Sequence, residues 1–289
     1  MADAVRLTSP DKELWPGVTK ADYAAYLDAV APALLPHARD RPLSLQRFHG
    51  GIGGQGFFQK DAGRGAPAWL RTVTVGKRGG GRVRHPLAND RRTLRWLAQI
   101  NALTLHVAPV RRDRLERPDR LTIDLDPSVD DFTAVRTSAL ALGELLRGQG
   151  LEPFAMVTGS RGIHVVCPLR RTRPADDVLA FAAAIAAEVQ ARDPGTLTTE
   201  FHKAQRGERI YLDVARNAPA QTAVAPYSPR ARPGAPVATP LRWDELEDPG
   251  LRPDGFTLGT VLDRLDGLGG DPWSGFRQAA RGLPAPPAS

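Results

Sequence analysis

The stretch from residue 121 to residue 214 narrows the possible folds of this chain more than any other part of its sequence. Apolar runs of strand length (LTIDLDP, PFAMV, IHVVCPL and RIYLDV) alternate there with helix-like runs at residues 132–146 and 176–189. Such alternation predicts an α+β fold, layered in the α/β manner, with mixed or antiparallel sheets flanked by helices.

The part of the chain before this stretch adds further helices and strands to the prediction. Residues 19–35 carry apolar side chains at helical spacing, and Thr19 with Asp22 forms a candidate helix cap. Two strands around a glycine-rich turn are predicted in residues 42–60, a hairpin with the basic tip Lys77 to Arg82 in residues 69–84, and a helix in residues 90–103. We expect one compact domain over residues 1–265 and a loosely ordered Gly/Pro/Ala-rich tail over residues 266–289.

The charge balance points to a phosphate-rich partner. The chain of 289 residues has a formal net charge of +7, which suits nucleic acid, although a generally basic surface would give the same value. Its one cysteine excludes an internal disulfide, and we find no signal peptide and no apolar run of membrane-spanning length. We therefore expect a cytoplasmic, nucleoid-associated protein without membrane contact and, by default, a monomer.

The most informative motif is the Asp-x-Asp pair in LTIDLDP. Side chains at i and i+2 share one face of a strand, so Asp124 and Asp126 point the same way. Two adjacent carboxylates repel each other unless a cation lies between them, and Mg2+ or Mn2+ suits their oxygen ligands. The plainer alternative is a solvated strand face that ends in an Asp-Pro turn.

A third carboxylate lies in the later strand RIYLDV. Asp213 is flanked there by apolar side chains, and a carboxylate in such a strand is costly unless it is paired or metal-bound. Three such carboxylates can hold two metal ions for in-line phosphoryl transfer. The alternative is an ordinary salt bridge from Asp213 to Arg206, Arg209 or Arg216.

The segment TGSRGIH, between two strands, is a candidate phosphate-binding turn. Its glycines permit a tight backbone path that aims N–H groups at an anion, and its side chains supply hydroxyl, guanidinium and imidazole donors. The spacing is not that of a Walker A loop. A glycine-rich hairpin with a core histidine would have the same sequence pattern.

Together and in this order, these three motifs resemble the archaeo-eukaryotic primase superfamily. Within it, the chain is most similar to the polymerase domain of ligase D from bacterial non-homologous end joining, over about residues 8–265. The similarity extends to segments outside the motifs, including LTSPDKELWP, GGQGFFQK, WLAQINALTLHV and TAVAPYSPRAR. It implies a primase-like polymerase fold and template-directed addition of NTPs or dNTPs at DNA ends and gaps, through two Mn2+ or Mg2+ ions.

The resemblance also implies a role for individual residues. The family's catalytic, metal-binding carboxylates correspond to Asp124, Asp126 and Asp213. The residues implied to bind the incoming nucleotide are Thr158, Ser160, Arg161, Gly162, His164, His106, Arg206, Arg230, Phe57, Phe58 and Arg47. Lys12 and Lys20 correspond to residues that grip the 5′-phosphate of the downstream DNA strand.

Some of these residues have plainer explanations. At least one of Phe57 and Phe58 could belong to the core, Lys12 and Lys20 could be solvated caps, and His106 could be a core histidine. The chain also departs from the common family pattern: Thr158 and Arg161 replace a serine and a lysine, and Gln46 stands where a lysine is often found.

The sequence also leaves two other functions open. The ligase signature Lys-x-Asp-Gly is absent, so we expect a separate DNA ligase and an end-binding protein as partners, and a gapped duplex with a 5′-phosphate as substrate. A primase that starts chains de novo would share the same active site. A non-catalytic module that bridges DNA ends would need the basic surface but not the carboxylates.

Overall fold

The protein has the mixed α+β architecture that its sequence predicts. The structure, a computed structural model, describes residues 5–76 and 80–285. Their strands and helices, in chain order, are β1 (Glu13–Trp15), β2 (Val18–Thr19), α1 (Lys20–Ala38), β3 (Leu43–Phe48), β4 (Gly56–Gln59), β5 (Thr72–Gly76), β6 (Arg82–Pro86), α2 (Arg91–Gln99), β7 (Ala102–Val107), β8 (Arg120–Pro127), α3 (Phe132–Gly148), β9 (Phe154–Val157), β10 (Ile163–Pro168), α4 (Ala175–Arg192), β11 (Leu197–Thr198), β12 (Ile210–Asp213), β13 (Ala223–Val224), β14 (Thr239–Leu241) and α5 (Thr260–Gly267). Within these ranges, no helix combines the length and apolar character needed to cross a membrane.

The contacts divide the chain into two compact units. Unit 1 comprises Met1–Asp113, Thr222–Ala238 and Phe256–Gly270, and unit 2 comprises Arg114–Gln221, Thr239–Gly255 and Asp271–Ser289. We expected a single unit over residues 1–265. The division is hard to read from sequence because each unit is assembled from three separate stretches of chain.

Unit 1 is built on a sheet of order β13-β7-β3-β4, with the separate pairs β1-β2 and β5-β6. Helix α1 begins as predicted: the Thr19 side chain accepts a hydrogen bond from the backbone N–H of Asp22, whose carboxylate accepts one from the backbone N–H of Thr19. This capping box satisfies N–H groups that lack partners at a helix start. Part of the predicted basic tip, residues 77–79, lies outside the described residues.

Unit 2 is built on a six-stranded sheet of order β11-β12-β8-β10-β9-β14. All its pairs are antiparallel except β11 with β12. In β8, Ile123 and Leu125 are fully buried. The alternate residues Asp124 and Asp126 therefore lie on the opposite face of the strand, as the i, i+2 rule predicts.

The end of the chain contains more packed structure than its composition suggests. We expected a loose tail from residue 266, yet the Trp273 and Phe276 rings are buried and stack on each other with centroids 5.2 Å apart. The indole N–H of Trp273 donates to the carbonyl of Ala155 in β9. Two aromatic side chains supply enough apolar surface to anchor a Gly- and Pro-rich segment.

Candidate active site

Three neighbouring strands of unit 2 place two carboxylates and an imidazole in one row. Asp213 of β12 is the direct cross-strand partner of Asp124 in β8, and Asp124 is in turn the partner of His164 in β10. Directly opposed side chains lie on the same face of a sheet, with Cβ atoms about 5 Å apart. Asp126, two residues along β8, is the cross-strand partner of Tyr211 on the same face. The register thus brings together the three carboxylates and the histidine.

The carboxylate of Asp213 lies in a largely buried environment. Its burial raises its pKa above the ordinary value; the charge of Asp124 acts in the same direction, and that of Arg216 opposes it. One of its oxygens accepts a hydrogen bond of 2.8 Å from the backbone N–H of Ala215. Ionised Asp213 therefore depends on nearby positive charge, as the sequence suggested for a carboxylate inside an apolar strand.

Basic side chains surround all three carboxylates. Asp126 accepts from Arg161 at 3.0 Å, and Arg206 lies 3.8 Å from its other oxygen. The Oδ2 atom of Asp124 lies 3.4 Å from Nε2 of His164. Arg216 contacts two carboxylates, with Nη2 at 3.0 Å from Asp213 and Nε at 3.6 Å from Asp124. The salt bridge that the sequence offered as an alternative for Asp213 is present, and it includes Asp124 as well.

The turn between β9 and β10 is held in a tight conformation by its own residues. The backbone N–H of Thr158 donates to the carbonyl of Gly162, and the N–H of Gly162 donates back to the Thr158 hydroxyl. A Cβ atom at Gly162 would lie 2.0 Å from the carbonyl oxygen of Leu125, so only glycine allows β10 to approach β8 this closely. Ser160 and Arg161 are partly exposed in this turn, beside the carboxylate face.

The donor set fits a hard divalent cation. Three carboxylates on one face supply the oxygen ligands that Mg2+ and Mn2+ prefer, and their mutual repulsion favours a cation between them. Within residues 5–76 and 80–285, however, no three His, Cys, Asp or Glu side chains form a metal-binding group. The carboxylates instead face the guanidinium groups of Arg161, Arg206 and Arg216.

Two residues that support this site were missed by sequence reasoning. Asn217, fully buried, accepts a hydrogen bond from the N–H of Thr122 in β8 and donates to the carbonyls of Thr122 and Val214. The second is Tyr211: the guanidinium carbon of Arg206 lies over its ring, 3.7 Å from the ring centroid. Neither contact follows a local pattern, because both depend on the pairing of strands and turns.

A second group of predicted residues lies in unit 1. The Phe58 ring is 63% exposed and lies 5.5 Å from the His106 ring, and Phe57 is 37% exposed. Arg47 lies over the Phe57 ring and donates to Gln59 and to the carbonyl of Ile100. The alternative that Phe57 or Phe58 belongs to the core is therefore wrong for both, because both are exposed hydrophobic side chains.

The remaining predicted residues also belong to unit 1. Lys20 is buried and donates to the carbonyls of Thr8 and Gln99, so it is not a solvated cap. Burial and the nearby charge of Lys12 lower the pKa of Lys20. Lys12 itself donates to the carbonyl of His49. The backbone N–H of Arg230 donates to Pro236, and its carbonyl accepts from the Trp15 indole.

The sequence and the fold both match known proteins. A family described as "LigD, primase-polymerase domain" matches residues 19–273. The "Multifunctional non-homologous end joining protein LigD" of Mycolicibacterium smegmatis is 34% identical over 273 residues, which cover 92% of this chain and 35% of that protein. The "Bifunctional non-homologous end joining protein LigD" of Bacillus subtilis is 32% identical over 249 residues, 86% of this chain and 40% of that protein. The chain thus spans little more than a third of these relatives.

A solved structure has the same fold over nearly the whole chain. It is the "Polymerase Domain from Mycobacterium tuberculosis Ligase D in complex with DNA", at a TM-score of 0.88 and 31% sequence identity. The match covers 96% of this chain and 99% of that one.

Proposed function

This chain belongs to the family of LigD primase-polymerase domains, which are nucleotidyltransferase-type enzyme domains. We propose that it adds nucleotides to DNA ends and gaps under the direction of a template. The observation that carries the proposal is the row of Asp213, Asp124 and His164 across three strands, with Asp126 on the same face. Nucleotidyl transfer requires such a convergence of metal-binding oxygens and proton donors.

We assign the transfer chemistry to the side chains of unit 2. Asp124, Asp126 and Asp213 would hold the divalent cations on which the family depends, and we propose that these are Mn2+ or Mg2+. When bound, such ions polarise a 3′-hydroxyl and neutralise charge on a triphosphate. Arg161 and His164, beside the carboxylates, are suited to donate to phosphate oxygens.

Further unit 2 groups support this assignment. Arg206 is held in place by the carbonyls of Glu200 and Phe201 and by the Tyr211 ring, so its guanidinium presents a fixed positive charge beside Asp126. The Thr158 and Ser160 hydroxyls are further phosphate donors in the turn that Gly162 keeps tight.

We assign base and DNA contacts to residues of unit 1. The exposed rings of Phe57 and Phe58 offer stacking surfaces, and a stacked base contributes about 1–3 kcal/mol. His106, Arg47 and Arg230 are further nucleotide contacts in this proposal, and Lys12, near the buried Lys20, would bind the 5′-phosphate of a downstream strand. The solved relative with DNA supports a DNA substrate. A DNA ligase and an end-binding protein are the proposed partners, in non-homologous end joining.

Primer extension on a gapped, 5′-phosphorylated duplex tests the proposal. With Mn2+ and each of the four nucleotides in turn, we expect addition of the nucleotide complementary to the templating base and none with EDTA. Parallel NTP and dNTP reactions measure which of the two sugars the chain prefers. DNA binding without nucleotide addition, with Mn2+ or with Mg2+, would contradict the proposal and favour an end-bridging module. Synthesis that needs no primer would instead identify a primase.

A further inference from the structure

The short 3-10 helix Ala215–Asn217 follows β12 and carries an arginine back to the catalytic face. Arg216 reaches both carboxylates of the cross-strand pair through the Oδ2 atoms of Asp124 and Asp213. One guanidinium therefore spans the two strands at the point where a shared metal ion would bind.

Charge explains why a cation is needed at this point. The side chains of Asp124 and Asp213 are only 14% and 13% exposed, so water screens their mutual repulsion poorly. A guanidinium is always protonated and offers a planar fork that can contact two carboxylates at once. Arg216 thus supplies in the metal-free protein part of the positive charge that a divalent ion would supply.

A divalent ion at Asp124 and Asp213 would compete with the Arg216 guanidinium for the carboxylate oxygens. A divalent ion held by Asp124 and Asp213 would need lone pairs of these carboxylates, and it would repel the Arg216 guanidinium beside them. Metal binding would therefore weaken or displace the contacts of Arg216.

Arg216 is well placed to leave. Its side chain is 36% exposed, whereas that of Arg206 is 11% exposed and is fixed by two carbonyls and an aromatic ring. The neighbouring Asn217 anchors the backbone of the turn to β8. A rotation of the Arg216 side chain would open the pair without movement of this backbone.

We propose that Arg216 is the resident counter-cation of the catalytic carboxylates, which a divalent ion displaces, so that this residue sets the metal affinity of the site. The inference rests on the proposed function, because it takes Asp124 and Asp213 as metal ligands. Arg216 weakens metal binding and stabilises the metal-free protein.

Titration with Mn2+ in the absence of nucleotide and DNA tests this inference. Free Mn2+ is counted by electron paramagnetic resonance for the wild-type chain, R216Q, R216K and R192Q. R192Q is the matched control, since Arg192 forms an exposed ion pair with Glu188 on α4. We expect R216Q to bind Mn2+ about tenfold more tightly, a factor equal to the removal of roughly 1.4 kcal/mol of competition. The Mn2+ affinity of R216K should lie between those of the wild type and R216Q, because an ammonium lacks the planar fork. R192Q should bind Mn2+ like the wild type.

Thermal unfolding supplies an independent readout. The metal-free R216Q protein should melt at a lower temperature than R192Q, and saturating Mn2+ should raise its melting temperature by more than it raises that of the wild type. Unchanged or weaker Mn2+ affinity in both R216Q and R216K would overturn the inference. D124N separates this outcome from failure of the proposed function: if D124N binds Mn2+ as well as the wild type, the carboxylates are not the metal site.

Discussion

At the residue scale, the environment of Asp213 sets the electrostatics of the site. Its carboxylate is buried beside a second carboxylate, and both effects raise its pKa. The sequence could predict that a carboxylate in RIYLDV needs a partner, because its neighbours are apolar. It could not predict how the compensating charge is divided, since Arg216 contacts Asp124 as well.

The raised pKa of Asp213 predicts how metal binding depends on pH. Only the ionised carboxylate is a ligand, and a raised pKa means that protons compete with the metal at a higher pH than for an ordinary aspartate near 3.8. We expect the Mn2+ affinity of the wild type to fall as the pH is lowered. The fall should begin at a pH above 3.8, the ordinary pKa of an aspartate. Calorimetric titration at stepped pH measures this, and an affinity that stays constant down to that value would contradict the assignment.

At the element scale, the strands of unit 2 were predictable and their register was not. The runs LTIDLDP, IHVVCPL and RIYLDV gave β8, β10 and β12 because strand apolar patterns are local. The alignment of Asp213 with Asp124 and of Asp124 with His164 depends on packing between distant segments, which no local pattern encodes. The sequence left open whether Phe57 and Phe58 are exposed for a similar reason: burial depends on what covers a strand.

Asn217 is the residue whose loss should most disturb the geometry of these elements. Asn217→Ala removes two buried hydrogen bonds that join β8 to the turn after β12 and a third within that turn, to the carbonyl of Val214, and we expect it to lower the free energy of unfolding by about 3 kcal/mol. Asn217→Asp is the matched variant: it keeps the acceptor for the Thr122 N–H but sets a buried carboxylate against the carbonyls of Thr122 and Val214, so at neutral pH it should destabilise the protein at least as much as Asn217→Ala. Urea denaturation measures both. Wild-type stability in Asn217→Ala would show that this contact does not join the two elements.

At the scale of the whole molecule, the net charge of +7 suits a polyanionic partner. The charge and the family motifs could be read from the sequence. The division into two units could not, because the three segments of unit 1 alternate along the chain with the three segments of unit 2.

The salt dependence of DNA binding separates a specific contact from net charge. If Lys12 binds a phosphate, Lys12→Ala should weaken binding of a 5′-phosphorylated gapped duplex and reduce the slope of log K against log salt by about 1. Arg252→Ala removes one positive charge from an exposed side chain and should leave that slope nearly unchanged. Fluorescence anisotropy over a range of salt concentrations measures both variants. Equal slopes for the two would mean that Lys12 contributes only to the net charge.

The central claim is that the carboxylates on β8 and β12 carry out nucleotidyl transfer, and single-turnover extension of a gapped duplex by the wild type, D124N and D130N tests it most directly. Asp130 is an exposed aspartate shortly after β8 and serves as the control. We predict that D124N slows addition by about three orders of magnitude, or roughly 4 kcal/mol of transition-state stabilisation, while it binds DNA like the wild type. D130N should extend at the wild-type rate. Extension by D124N at the wild-type rate would contradict the claim.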